Sequence, residues 1–151
     1  MDYCGSSRNH LFTGFVVGVC LAGIATMRAP HGIVLLAHGS RDPLWHRPVQ
    51  SVARAIQQHA PGLPLECAYI EISQPDLNEA VERLMHAGVE AIRVIPLFLG
   101  VGRHAREDIP RLIANLTEQY PQVQFDLRPA VGEDERLIAL LAQIALEDFV
   151  K

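Results

Sequence analysis

Residues that can bind a metal ion or accept a proton follow three separate apolar runs of this chain. The segment Gly32–Pro43 reads GIVLLAHGSRDP, so a β-branched apolar run ends directly in His38. Glu71 closes a second apolar run, and His104 follows a third. Neutral imidazole and carboxylate groups are ligands that suit divalent iron, cobalt, nickel and zinc. Three such protein ligands leave coordination positions open for exchange.

A second set of residues around these three can bind anions. The candidates for contact with a charged substrate are Gly39, Ser40, Arg41, Arg103 and Arg106. Arginine binds carboxylates through paired N–H groups, and backbone amides at the start of a helix also favour anions. For Arg103 and Arg106, a solvated loop surface is an equally good interpretation of the pattern.

Each of these residues also has an ordinary structural interpretation. A histidine at a strand end can simply bond a backbone group, and an exposed glutamate is common on any surface. Leu44 and Trp45 either pack into the core or form an apolar wall against a flat ligand. Cys67 is expected to be a small buried hydrophobic residue. The remaining histidines, predicted to lie in a leader, a loop or on a helix surface, are His10, His31, His46, His59 and His86.

The elements that must bring the candidate residues together alternate between strand and helix from His31 onward. The predicted strands are Ile33–Ala37, Pro64–Ile70, Ala91–Phe98 and Val123–Arg128. The predicted helices are Pro43–His59, one from Pro75 that stops at Gly88, Asp108–Tyr120 and Asp134–Phe149. Four β-α units in series imply a parallel sheet with helices on both faces, and ligands bind at the carboxyl edge of such sheets.

The helix patterns also predict which side chains face the core. Asp42 is a good N-cap for the first helix, and Pro43 is a good first helical residue. The last helix is expected to bury four apolar side chains. They are Leu137, Leu140, Leu141 and Ile144.

Length and composition limit the range of functions. The chain has 151 residues, 49% of them hydrophobic and 20% charged, which fits one globular domain. The net charge of −4 and the lack of a basic stripe argue against a nucleic-acid partner. Its three cysteines form neither a disulfide framework nor a metal-ligand pattern, which favours a cytoplasmic protein.

Residues 1–30 differ from the rest and are treated as a leader, whereas residues 31–151 form the predicted domain. The mostly apolar run Leu11–Met27 has 17 residues, and a membrane span needs about 20. It could be a membrane or export segment, and contact with a membrane is expected only in that case. Alternatively it is a disordered extension, or translation begins at Met27 and the leader is not real.

Three quoted motifs together resemble those of a known family. LLAHGSRDP, YIEISQPDL and VIPLFLGVGRHAREDIP resemble the small class II sirohydrochlorin chelatases of the CbiX type. The resemblance covers residues 31–151, and the interval from His38 to His104 fits the two metal-binding histidines of the family. Glu71 lies where some members carry a third ligand.

The resemblance implies a flavodoxin-like, chelatase-like α/β fold: a three-layer sandwich around a four-stranded parallel sheet. It implies a lyase that inserts cobalt, iron or nickel into sirohydrochlorin, on routes to cobalamin or sirohaem, and works as a homodimer. Cobalt is the metal we expect. His38, Glu71 and His104 are then both metal ligands and catalytic residues. The divalent metal is a substrate, and no permanently bound cofactor is expected.

Two other functions are considered beside the chelatase. A non-catalytic carrier of metal or tetrapyrrole could use the same edge of the sheet, and the sequence hardly separates it from an enzyme. A histidine-phosphatase-like enzyme places an Arg-His-Gly triad after its first strand, but here Ala37 stands before His38, so the arginine is missing.

Overall fold

The computed structural model of the protein describes residues 30–147 and 149, with the backbone alone for residues 103–105. Of the predicted leader, only Pro30 falls within this part. The strands are β1 (His31–Ala37), β2 (Leu65–Tyr69), β3 (Ala91–Pro96) and β4 (Gln124–Leu127). The helices are α1 (Arg47–His59), α2 (Leu77–His86), α3 (Arg103–Gln119) and α4 (Glu135–Leu146), with 3₁₀ turns at Pro43–His46 and Val131–Glu133.

The four strands form one parallel sheet in the order β2-β1-β3-β4. One face packs against α2 and α3, and the buried side chains of this half of the core include Val34, Val81 and Ile109. The other face packs against α1 through Leu35 and Val49. Helices therefore cover both faces of the sheet, and the predicted three-layer α/β sandwich is confirmed.

Local sequence signals explain where the helices start and stop. The Asp42 carboxylate accepts a hydrogen bond from the Leu44 amide at 2.9 Å, as expected of an N-cap. Asp76 and Glu79 form a reciprocal capping box at the start of α2. Gly88 follows that helix with φ = 82°, a conformation in which any side chain would be strained.

The predicted start of the third helix was wrong. That helix begins at Arg103 and not at Asp108, so only residues 97–102 form the loop after β3. The misleading feature is Pro110, which resembles a first helical residue but lies inside the helix. The preceding residues are good helix formers, so the helix extends back to Gly102 and tolerates the loss of one backbone bond. Arg103, His104 and Arg106 therefore lie in the first turn of α3.

The predicted burial of the last helix was also wrong. In α4, Leu137 is half-buried, whereas Leu140, Leu141 and Ile144 are 50%, 41% and 53% exposed. The apolar pattern is real, but α4 packs mainly beside the 3₁₀ turn Val131–Glu133 and not on the sheet. Among the residues that the structure describes, no helix is long and apolar enough to cross a membrane.

Candidate active site

His38 directly follows β1, which is a central strand because it lies between β2 and β3. The Ile70 amide donates to the Ala37 carbonyl at 3.0 Å, which keeps the end of β2 beside β1. On the other side, the Leu97 amide donates to the Leu36 carbonyl at 2.8 Å. His38 therefore stands between the segment that carries Glu71 and the loop that leads into α3.

The structure brings two of the three predicted ligands together. His38 Nδ1 lies 4.0 Å from Glu71 Oε1, and the two side chains are 49% and 62% exposed. Ligand atoms about 2.1 Å from one divalent ion are about 3.4 Å apart in a tetrahedral site, so a small rotation of either exposed side chain would let this pair bind a single ion. The His38 ring also packs on the buried Phe98 ring, with centroids 4.6 Å apart, which limits its orientations.

The third predicted ligand, His104, is placed only by its backbone. It lies in the first turn of α3, at the same edge of the sheet as His38. Its side chain and that of Arg103 are outside the described part of the structure. Among the side chains that are described, no group of three His, Cys, Asp or Glu residues forms a metal site. A three-ligand site thus remains a prediction.

Gly39 has a structural role that the sequence did not suggest. A Cβ atom at this position would collide with the Glu71 carbonyl oxygen, and it would lie 2.8 Å from Ser73 Oγ and 2.9 Å from Ser73 N. Real Cβ atoms essentially never come so close. Only glycine allows the turn after β1 to pack against the backbone next to Glu71.

Most backbone amides of the turn after β1 donate hydrogen bonds within the chain. The Ser40 amide donates to Ser73 Oγ at 2.9 Å, and the Asp42 amide donates to Ser40 Oγ at 3.1 Å. The amides of Leu44 and Trp45 donate to Asp42. These N–H groups have partners inside the chain, so they are not free to bind an anionic ligand.

Ser73 and His46 lie at the contact between the ends of β1 and β2, although neither residue was among the predicted site residues. The Ser73 hydroxyl donates to the Ser40 carbonyl at 2.9 Å, accepts from the Ser40 amide and lies 3.1 Å from His46 Nε2. A hydroxyl has one hydrogen to donate, so His46 must donate from Nε2. The His46 ring packs on Tyr69 at 4.4 Å. His46 is thus an internal contact, and Ser73 lies in the quoted segment YIEISQPDL, which does not reveal these contacts.

The side chains around this edge leave an apolar and a basic surface open. Leu44 and Trp45 are 56% and 59% exposed, so the alternative of core packing was wrong. Arg41 is exposed, and Arg106 lines a cleft with Pro129 and Glu133 at the end of β4. Apolar side chains and arginines on one edge suit a flat ligand that carries carboxylates.

The His38–Glu71 pair lies on an open surface. The cavity of about 250 Å³ between His31, Leu63 and Gln124 is at the amino edge of the sheet, opposite the pair. Neither this cavity nor the two cavities beside Pro129 includes His38 or Glu71. A large ligand would therefore be covered on one side only by this copy of the chain.

A half-buried thiol and a buried phenol, both in β2, stay neutral near pH 7. Burial raises the pKa of the Cys67 thiol, and the nearby Glu66 carboxylate raises it further. Burial likewise raises the pKa of the Tyr69 phenol. Cys67 lies among the side chains that pack under α1, as expected of a small hydrophobic residue, and a neutral thiol is a poor metal ligand.

Comparisons with known proteins identify the family of this chain. The profile of the CbiX family matches residues 32–148. The sirohydrochlorin cobaltochelatase of Sulfolobus acidocaldarius is 31% identical over 114 residues, which cover 76% of this chain and 89% of that protein. The sirohydrochlorin ferrochelatase of Bacillus subtilis is 26% identical over 106 residues, which cover 70% of this chain and 41% of that protein.

Solved structures show the same architecture. The crystal structure of the CbiX protein from Marinobacter aquaeolei VT8 superposes with a TM-score of 0.70 at 33% identity, over 80% of this chain and 95% of that one. The sirohydrochlorin chelatase SirB from Bacillus subtilis subspecies spizizenii, solved with cobalt, superposes with a TM-score of 0.67 at 24% identity. This chain spans 50% of that protein, and the likeness shows the fold alone. With its fold and 117 consecutive positions matched to one family profile, the chain belongs to the CbiX family of class II chelatases.

Proposed function

We propose that this protein inserts a divalent metal ion into sirohydrochlorin. The observation that carries the proposal is the His38–Glu71 pair, 4.0 Å apart and open to solvent at the carboxyl edge of a CbiX-family sheet. The names of the relatives, sirohydrochlorin cobaltochelatase and ferrochelatase, support the same substrate. The family match over residues 32–148 also supports the expected single domain at 31–151.

The proposed reaction exchanges one metal ion for two protons. The metal ion enters the macrocycle, and the two pyrrole N–H groups lose their protons, so charge and atoms balance. His38, Glu71 and His104 hold the incoming ion as its first ligands. Once the macrocycle nitrogens replace them, imidazole and carboxylate are free to accept the released protons.

The exposure of the pair is consistent with delivery of a metal and not with storage. Structural metal sites fill the coordination shell with protein ligands, whereas exchange requires open positions. His38 and Glu71 are each about half exposed or more, at 49% and 62%. The Phe98 ring restrains the His38 imidazole without closing its exposed side.

We propose arginines as the main contacts for the substrate carboxylates. Sirohydrochlorin carries many carboxylates, and Arg41, Arg103 and Arg106 all follow strand ends at the edge that carries His38. Gly39 and Ser40, also expected to contact substrate, contribute by shaping the turn, because their nearest partners are Glu71 and Ser73. Exposed Leu44 and Trp45 provide an apolar surface for the macrocycle.

Cobalt is the metal that we propose first, and iron or nickel are the alternatives. Histidine and carboxylate ligands accept all three ions, so the ligand types do not choose among them. Support for cobalt comes from the name of the Sulfolobus acidocaldarius relative, to which this chain aligns over 89% of that protein's length. The ferrochelatase relatives keep iron as the second candidate.

We also propose that the protein acts as a homodimer. One copy covers a macrocycle on one side only, and a second copy would supply the other wall. Helix α4 supports this proposal because five of its large apolar side chains are exposed. They are Ile138, Leu140, Leu141, Ile144 and Leu146. A helix that is apolar on most sides is normally buried, so a second copy is the expected cover.

The experiment that tests the function follows the absorbance of sirohydrochlorin under anaerobic conditions. Catalytic amounts of protein are mixed with the tetrapyrrole and, separately, with Co²⁺, Fe²⁺ or Ni²⁺. Many turnovers per protein, above the rate without protein, are expected for at least one metal, with cobalt fastest. A spectral change that stops at one equivalent of protein would instead identify a carrier.

A further inference from the structure

We infer that Ser73 is a positioning residue for metal binding, because its hydroxyl holds the segment that carries Glu71 against the turn that carries His38. This inference rests on the proposed function and adds to it a residue outside the predicted ligand set. We call residues 70–75 the Glu71 loop.

The first observation is that the Glu71 side chain has little around it to fix its position. Its side chain is 62% exposed, so the position of its carboxylate is determined mainly by the backbone of the Glu71 loop. The 4.0 Å approach of Glu71 to His38 is therefore a property of how the loop docks onto the end of β1.

The second observation is that the Ser73 hydroxyl holds the Glu71 loop against the turn after β1. Its hydroxyl accepts from the Ser40 amide and donates to the Ser40 carbonyl, both at 2.9 Å. His46 Nε2, at 3.1 Å, completes the bonding capacity of the hydroxyl. These bonds join positions 33 residues apart in the chain, immediately beside the two proposed ligands.

The third observation is that the backbone between Glu71 and Ser73 is strained. Ile72 has φ = 68°, and the Ser73 amide donates to the Glu71 carbonyl at 2.7 Å, which closes a tight γ-turn. A β-branched residue rarely adopts positive φ, and such a conformation persists only when its surroundings hold it. The Ile72 side chain is 66% exposed, so packing does not hold it. The Ile70 and Tyr69 amides donate to the Ala37 and Pro75 carbonyls and hold the ends of the loop, whereas the Ser73 hydroxyl supplies the side-chain restraint next to Ile72.

Loss of the Ser73 hydroxyl should therefore let the Glu71 loop relax and move the carboxylate away from His38. Residues that orient metal ligands typically contribute about 10–100-fold to metal affinity. For Ser73→Ala we expect the dissociation constant for Co²⁺ and the KM for metal to rise about tenfold. The KM for sirohydrochlorin should change less than the KM for metal, because we propose the arginines, and not the turn at Ser40, as the main substrate contacts.

The test compares five full-length variants with the wild type by Co²⁺ titration, steady-state kinetics and amide hydrogen exchange. Ser73→Thr keeps the hydroxyl and should restore the affinity for Co²⁺. Ser51→Ala removes an exposed hydroxyl whose hydrogen-bond partner among the described residues is Arg54 on α1, and it serves as the matched control. His46→Leu should weaken Co²⁺ binding, whereas His46→Gln keeps a donor for Ser73 and should not. The two His46 variants carry the test should Ser73→Ala fail to fold.

Two outcomes would overturn the inference. One is an unchanged Co²⁺ dissociation constant in a folded Ser73→Ala protein, or in His46→Leu. The other is unchanged hydrogen exchange in the Glu71 loop of these variants, a readout that needs no bound metal. A wild type that binds Co²⁺ but never turns over sirohydrochlorin would contradict the proposed function alone, since the affinity comparison would still apply.

Discussion

His38 Nδ1 lies 4.0 Å from Glu71 Oε1, although the two residues end different strands. The approach follows from the sheet order, because β1 lies directly beside β2 and both strands run in the same direction. The side chain at the end of each strand therefore reaches the same edge. This relationship gives the proposed metal site two of its ligands and leads to the predictions below.

Substitution of Gly39 should disrupt the contact between the two strand ends. In Gly39→Ala the new Cβ would collide with the Glu71 carbonyl, so the backbone must shift at a cost of about 3 kcal/mol in the free energy of unfolding. Gly100→Ala is the matched control, since a Cβ there meets no atom within 4 Å. Urea denaturation of both variants measures the difference, and equal stability would contradict the tight packing of this turn.

The Phe98 ring should restrain His38 as well as fill the core. Phe98 is 4% exposed, so a change to leucine keeps an apolar core residue and should cost no more than about 1.5 kcal/mol. Phe98→Leu removes the ring that packs on His38 at 4.6 Å, and the affinity for Co²⁺ is expected to fall while the fold persists. Isothermal titration of folded protein measures this. Affinity equal to the wild type would mean that His38 is oriented by other contacts.

Charged residues in α4 should separate the proposed dimer. Leu140 and Ile144 are 50% and 53% exposed and lie one helical turn apart. The double variant Leu140→Glu/Ile144→Glu should be monomeric in sedimentation and lose insertion activity, because each copy then offers a single wall. Gln143→Glu, on the same helix, tests whether a charge alone has this effect. A wild type that sediments as a monomer would contradict the dimer proposal.

Cys67 should react slowly with thiol reagents near neutral pH. Burial raises the pKa of its thiol, and a raised pKa means a smaller thiolate fraction at any pH below that value. Each unit of upward shift lowers the thiolate fraction about tenfold. In a Cys4→Ser/Cys20→Ser protein, alkylation at pH 8 should be much slower in the native state than in urea. Equal rates in both states would show that Cys67 is accessible and ionised.

The sequence predicted the order of elements well because its signals were local. Apolar runs bounded by turns predicted the four strands, and Asp42 and Gly88 marked helix ends through capping chemistry that needs no distant partner. The third helix was misplaced because Pro110 mimics a helix start. The helix propensity of the residues before Pro110 had a larger effect on the start of the helix than the position of this one proline.

The candidate site was predicted only in part, for a physical reason. The parallel sheet and the family resemblance were sufficient to predict that His38 and Glu71 lie at one edge of the sheet. The roles of Ser73 and His46 could not be predicted from the sequence. They depend on the Ser73 hydroxyl, which contacts a turn 33 residues away in the chain. The exposure of α4 was also not predicted. An apolar periodicity indicates that one face of a helix is buried, but it does not show whether the same chain or another molecule buries that face.

The measurement that tests the central claim most directly is the initial rate of anaerobic metal insertion into sirohydrochlorin by matched histidine variants. We predict that His38→Ala and His104→Ala abolish insertion and remain folded, whereas His86→Ala, which changes an exposed residue at the end of α2, keeps the wild-type rate. Full activity in both His38→Ala and His104→Ala would contradict the assignment of the metal site to this edge of the sheet.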